Sequence, residues 1–384
     1  MVRLGDVGLI ITGNTPKTSD NKNYDSNDIC FIKPSDIDED LTDIYSSEYY
    51  ISEYARSKAR IVPVSSVLVT CIGLVGKVGI NAIECAFNQQ INAIVPDKQK
   101  CDYRYLAYAI QYEKPKLQNI ANAPVVPILN KSQFSDIEIP LPSLEEQRKI
   151  AVVLDKVCDL IAKRRQQLEK LDFLVKVRFV EMFGNLVIGD KISTNKYRIG
   201  EVASVTKLAG FEFTKYIQYK ETGDIIMLRG LNCKKGHLVL DDIKWIDKET
   251  SDLLPRSKLF YGDILMTYAG TIGDVALVDE DNKYHLAPNV AKITLNDKKK
   301  INPIFLIHLF MYSNDYIMTF ASQVAQASIN MEKIRNFEYF FPDTKLQNEF
   351  VDFVGQTEKT KTSIKKSLTK LETLKKALMQ EYFG

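Results

Sequence analysis

Two rhythms of apolar and polar positions alternate along this chain. Short apolar runs such as "SVLVT" (Ser66–Thr70), "INAIVP" (Ile91–Pro96), "DIIMLRG" (Asp224–Gly230) and "DILMTYAG" (Asp263–Gly270) are separated by Gly, Asn, Asp and Pro. They read as short strands, joined by a few helices such as "YRYLAYAIQY" (Tyr103–Tyr112), and predict an α+β domain. From Ser143 the rhythm changes. "SLEE" places a capping hydroxyl three residues before Glu146, the arrangement that satisfies free N–H groups at a helix start. Leu154, Val157, Ile161, Leu168, Leu171 and Val175 then recur at three- and four-residue steps, the seam of a coiled coil. A helix reaching about Phe183 would be roughly 60 Å long at about 1.5 Å per residue.

The same succession occurs a second time. Pro142 and Pro342 close the runs "IEIPLP" and "EYFFP", Asn130 and Asn330 precede them, and Gln147 and Gln347 follow. Leu168, Leu171 and Leu174 match Leu368, Leu371 and Leu374, and "EMFG" at Gly184 matches "EYFG" at Gly384, every pair standing 200 residues apart. Upstream the offset drifts, as insertions require. "RLGDV" at Arg3 matches "RIGEV" at Arg198, and "VLVTCIGLVGKVGI" from Val67 matches "ILMTYAGTIGDVAL" from Ile264. One unit is used twice, with loops of unlike sequence.

Neither helical stripe is complete alone. Arg164 and Arg178 interrupt the first where the second has Ile364 and Leu378, and Lys361 and Lys375 interrupt the second where the first has Ile161 and Val175. A stripe of about 40 residues needs a partner to bury it, and the other copy is the simplest one. Pairing within one chain predicts antiparallel helices and a pseudo-two-fold between two similar domains. The expected division is a globular part at 1–142, a long helix at 143–184, a second globular part at 185–342 and a second helix at 343–384. Duplex DNA has local two-fold symmetry, so domains about one turn apart, roughly 34 Å, could each meet a groove. Their different loops then predict an asymmetric, split target.

Composition narrows the chemistry. With 384 residues and 45% hydrophobic content the chain can build more than one core. No apolar run suits a signal sequence or membrane span, so a cytoplasmic location without membrane contact is expected. The six cysteines lack paired spacing, and three scattered histidines leave little material for a metal site or a catalytic triad. A net charge of +2 means that any anionic partner is met locally. "GLVGKVG" at Gly73 lacks the glycine spacing and the Ser or Thr after Lys77 of a phosphate loop, and reads as a strand turn. No dinucleotide loop and no Asn/Asp-Pro-Pro-aromatic segment is present, so no cofactor is expected.

The order of domain, helix, domain, helix, with "IPLPSLEEQRKIAVVLDKV" leading into the first helix, resembles the specificity subunit of type I restriction-modification systems. "TGNTPK", "GTIGDVAL" and "FNQQINAIVP" extend the resemblance over the whole chain. "VSSVL" in place of a "YGDIL"-like turn and "DTKLQNEF" at the second helix start are local departures. The resemblance implies a non-catalytic subunit with two target-recognition domains, each specifying half of a bipartite sequence in double-stranded DNA. It also implies that the helices dock two adenine-methylating subunits, joined by ATP-driven restriction subunits.

Phosphates call for Lys, Arg and small polar side chains, guanine edges for Arg, and adenine edges for Asn or Gln. The candidates in the first domain are Asn14, Thr15, Lys17, Lys22, Lys33, Ser35, Arg56, Lys58, Arg60, Asn88, Gln89 and Gln90. In the second they are Lys207, Phe211, Lys215, Arg229, Lys234, Lys235, Arg256, Lys258, Tyr268 and Asn289. Glu145, Glu146, Gln147 and Arg148 are candidates for partner contact, with self-packing as the other explanation. Asn130 and Asn330, shared by both copies, read as structural. A coiled-coil scaffold whose domains bind protein or sugar is the alternative, separated from a DNA reader by salt dependence.

Overall fold

In the computed structural model, residues 1–121, 126–192, 195–322 and 327–384 are described. The chain divides into two compact units, Met1–Arg165 with Lys366–Gly384, and Gln166–Lys365. Each long helix, Leu144–Phe183 or Thr344–Phe383, gives its first half to one unit and its second half to the other. The architecture is α+β and internally repeated, as the hydrophobic pattern predicts.

Unit 1 is built on a five-stranded sheet in the order Gly8–Thr12, Ile91–Pro96, Val67–Thr70, Val78–Asn81, Thr42–Ile44. A smaller sheet places Ile29–Ile32 parallel to Cys85–Phe87, flanked by Tyr50–Ile51 and Ile61–Val62. Unit 2 repeats the plan. Its four-stranded sheet runs Ala203–Lys207, Val290–Leu295, Ile264–Thr267, Val275–Leu277, and Ile225–Leu228 lies parallel to Tyr284–Leu286 in a second sheet. The "GLVG" segment is a hairpin turn in which Gly73 and Gly76 have φ of 75° and 89°, a region that disfavours a Cβ; Gly270 and Gly273 repeat it at 82° and 87°. Lys77 is turned into the fold, its Nζ donating to the Ile37 carbonyl at 3.0 Å.

Within each unit the two helix halves run side by side in opposite directions. In unit 1, Ile150 and Leu154 share a core with Met379 and Phe383, while Arg165 meets Glu372 at 3.0 Å. In unit 2, Phe179 and Phe183 stack edge-on against Phe350 at 5.3 and 5.6 Å between ring centres, and Lys361 meets Asp172 at 2.6 Å. Lys361, a charged break in the second stripe, thus has an acidic partner on the first helix. Burial pulls the Lys361 pKa down, but Asp172 and Glu358 more than offset it, so the ammonium is held charged. In unit 1, Asp40 accepts from both Arg165 (2.7 Å) and Lys375 (3.4 Å), tying a loop of the globular part to both helix halves.

The joint between globular part and helix is built identically in both units. The Asp102 backbone N–H donates to Gln147 Oε1 at 2.9 Å, and Gln147 Nε2 donates to the carbonyls of Lys100 (3.0 Å) and Pro142 (2.9 Å). Gln347 makes the same bonds with Asn302, Lys300 and Pro342. Both side chains are buried, so Gln147 belongs to this joint and leaves the set of partner-contact candidates. Gln147→Leu is expected to remove the side-chain partner of three backbone groups and to destabilise unit 1 by about 2 kcal/mol or more, measured by thermal unfolding. Asn130 and Asn330 are helix caps, each side chain accepting at 2.9 Å from the backbone N–H three residues on.

Candidate nucleic-acid interface

Strand register decides which loops can act together. In unit 1, Thr12 and Thr70 lie opposite Asn92 and Ile91, so the segments after Thr12, after Thr70 and before Ile91 all leave one end of the main sheet. The parallel pairing of Ile29–Ile32 with Cys85–Phe87 delivers Lys33 and Ser35 to the same end, where the Asn88 N–H donates to the Ile32 carbonyl at 3.1 Å. Unit 2 repeats this. Lys207 and Thr267 lie opposite Ala291 and Val290, and Arg229 follows the strand parallel to Tyr284–Leu286.

Most of the candidate residues of unit 1 are gathered there. Thr15 Oγ1 donates to Gln89 Oε1 at 2.7 Å, Asn14 Nδ2 donates to the Lys58 carbonyl at 2.7 Å, and the Arg60 N–H donates back to Asn14 Oδ1 at 2.7 Å. Asn23, a buried side chain the sequence pattern did not single out, bonds the Lys17 carbonyl and the Lys58 ammonium, closing the basic loop. Lys17, Lys22, Ser35, Arg60 and Gln89 stay exposed. Asn88 is buried and bonded to Gln90, so it shapes the loop from within instead of facing outward.

Several of the cations carry internal partners. Arg56 binds Glu53 at 2.5 Å and Glu84 at 2.7 Å, which raise its pKa further above its ordinary value. Lys58 is held by Asp20 at 3.0 Å and lies 3.7 Å above the ring of Tyr54, which Lys22 also approaches. Lys33 sits 3.0 Å over the Tyr49 ring. These aromatic platforms were missed in sequence, although "EYARSK" places Tyr54 beside the basic cluster.

In unit 2 the register gathers Lys207, Tyr268 and Asn289. The Lys207 ammonium lies 5.5 Å from the Tyr268 ring centre, and the Tyr268 N–H donates to the Asn289 carbonyl at 3.0 Å. Phe211 and Lys215 follow on the helix Gly210–Tyr216, with Phe211 71% exposed. Arg229 binds Asp242 at 2.7 Å and keeps only 20% of its side chain exposed, so reaching a base would require exchanging that carboxylate. Lys258 is likewise paired with Asp252, while the bridge between Lys258 and His285 carries exposed Arg256 toward the loops. Lys234 and Lys235 occupy a separate hairpin whose His237 lies 3.9 Å from Glu358 of the second helix. At the start of the first helix, Glu145, Glu146 and Arg148 are exposed; Glu145 pairs with Lys149 at 2.8 Å, and Val152 and Val153 continue the surface.

Burial sets the protonation of several cysteines and of one histidine. Burial pushes the thiols of Cys71, Cys85, Cys101 and Cys233 up to about 12. Burial, then the charges of His237 and Lys361, push the His308 imidazole down to about 4. Among the described residues no group of His, Cys, Asp and Glu is arranged to hold a metal, and no helix is long and apolar enough to cross a membrane.

A family described as "Type I restriction modification DNA specificity domain" matches residues 1–170 and 193–375. The chain is 24% identical over 415 residues to the Type I restriction enzyme MjaVIII specificity subunit of Methanocaldococcus jannaschii, covering 99% of this chain and 90% of that one. It is 26% identical over 324 residues to the EcoBI specificity subunit of Escherichia coli, covering 77% and 68%. A 32% identity to the HindI specificity subunit of Haemophilus influenzae covers 46% of this chain and only 39% of that relative. Among solved structures, a chain from a study of type I R-M complex assembly and conformational transition aligns with a TM-score of 0.62 at 16% identity, over 99% of this chain and 96% of its own. The S subunit of a type I system from M. genitalium aligns at 0.55 with 12% identity, over 100% and 95%. These two likenesses concern the fold.

Proposed function

The chain belongs to the type I restriction modification DNA specificity domain family, and we propose that its two units each read one half of a split, asymmetric sequence in double-stranded DNA. Residues 1–142 and 185–342 are the reading domains of this proposal, and residues 143–184 and 343–384 the helices that set the unread spacer. One observation carries it. Bonds at matched scaffold positions are the same in both units, as at Gln147 and Gln347, while the side chains at the corresponding sheet ends differ. Two readers on one scaffold need that division.

The chemistry at each sheet end suits the task. Lys17, Lys22 and Arg60 are exposed cations for phosphates, and Gln89, set by Thr15, presents an amide of the kind that pairs with an adenine edge. In unit 2, Lys207 and Lys215 take the phosphate role, with Tyr268, Asn289 and Arg256 beside them. The relatives named above are specificity subunits of restriction enzymes; by that likeness this chain directs a methylating enzyme without performing the transfer itself. Two methyltransferase subunits dock on the helices in this reading, with Glu145, Glu146, Arg148 and the adjacent valines as contacts. Restriction subunits join through that complex, and its place of work is the cytoplasm, where the DNA is.

Binding of target duplex by the chain in complex with its modification partner, measured across salt concentrations, tests the proposal. Affinity should fall linearly on a log–log plot, and Lys17→Ala and Lys22→Ala should each flatten the slope by about 1. Affinity indifferent to salt would instead favour a scaffold for protein or sugar ligands.

A further inference from the structure

The hairpin tip at Gly73–Gly76 leaves the reading end of unit 1 carrying an apolar patch. Leu74 is 63% exposed, and Ile128 and Val126 beside it are 51% and 42% exposed. The patch is built deliberately from two segments: Ile72 bridges Ile128, the Gly73 N–H donates to the Pro127 carbonyl at 3.0 Å, and the Leu129 N–H donates to the Cys71 carbonyl at 2.8 Å. It is continuous with the amide cluster, because the Cys71 N–H donates to the Gln90 carbonyl at 2.7 Å. Unit 2 keeps the frame and changes the side chains. Ala269 bridges Ser328 as Ile72 bridges Ile128, and Thr271 stands where unit 1 has Leu74. An aliphatic pair in one unit is a hydroxyl pair in the other.

The turn does not need the Leu74 side chain to close, since the glycines and the Thr70 side chain already hold it through bonds to its backbone. Within the major groove, one base feature rewards aliphatic contact, the C5-methyl of thymine, whereas Ser and Thr bond base edges of several kinds. Resting on the DNA-reading proposal above, we infer that Leu74 and Ile128 are specificity-determining residues that contact thymine methyl groups in the half-site read by unit 1. Thr271 and Ser328 take the corresponding place in unit 2 with polar readout.

Deoxyuridine pairs as thymine does and lacks only the methyl, so it isolates this contact. The complex of the chain with its modification partner would be titrated with its natural target and with a duplex carrying deoxyuridine throughout the unit 1 half. Affinity should fall about three- to five-fold per contacted methyl, and the fall should vanish in Leu74→Ser/Ile128→Ser, whose substitutions are on the surface. Equal affinity for both duplexes, a fall that the variant preserves, or a unit 1 half-site without thymine overturns the inference while leaving the split-target reading standing. Loss of the modification partner from the double variant without any deoxyuridine effect would make the patch a protein contact and overturn it too. A complex that binds no split target overturns both.

Discussion

Phe350→Ala is expected to destabilise unit 2 by about 3–5 kcal/mol, the cost of removing a large buried aromatic side chain from a core that cannot collapse around the gap. Phe350 is fully buried between Phe179 and Phe183 of the first helix, with the His308 ring 5.3 Å away on a third side. Two other chain segments therefore lose contact with the second helix at once. The matched position in unit 1 is Ile150, whose neighbours include Met379 and Phe383, so Ile150→Ala removes less area and should cost about 2–4 kcal/mol. Thermal unfolding of the two variants reads the difference. An effect of Phe350→Ala below that of Ile150→Ala would mean that the helices contribute little to the core of unit 2.

The features legible in the sequence are those that local physics or repetition writes twice. Helix seams, the capping serine and the turn glycines each follow from nearest-neighbour geometry, and the fixed register between Asn130 and Gly184 and their counterparts makes the duplication visible in the sequence alone. Asn130 and Asn330 could be read as structural because both copies share them, and both are caps. Basic loops were visible as composition, and strand register then set most of them at one sheet end.

What stayed hidden depends on contacts distant in sequence. Gln147 looks like a surface residue of a charged helix start, yet it is buried because the backbone around Lys100 and Asp102 folds over it and needs its amide. Lys361 and Lys375 read as gaps in an apolar stripe, and only the folded chain shows Asp172 and Asp40 opposite them. For the same reason the acidic partners of Arg56 and Arg229, Glu84 and Asp242, are visible only in the folded chain. Tyr54 and Tyr49 escaped notice because an aromatic platform is defined by the lysine above it, not by its own position.

Replacing residues 1–142 with the corresponding segment of another specificity subunit should change one half of the methylated motif completely and leave the other half intact. Unit 1 supplies its own loops, most of them on one sheet end, and the Gln147 joint on which they sit has the same form in both units, so the reading surface can be exchanged without rebuilding the helix it rests on. The measurement is a base-resolution map of methylated adenines in a host carrying the modification partner with either chain. The account predicts a split, asymmetric motif for the native chain and a motif altered on one side alone for the exchanged one. A continuous motif, or both halves changing together, would contradict it.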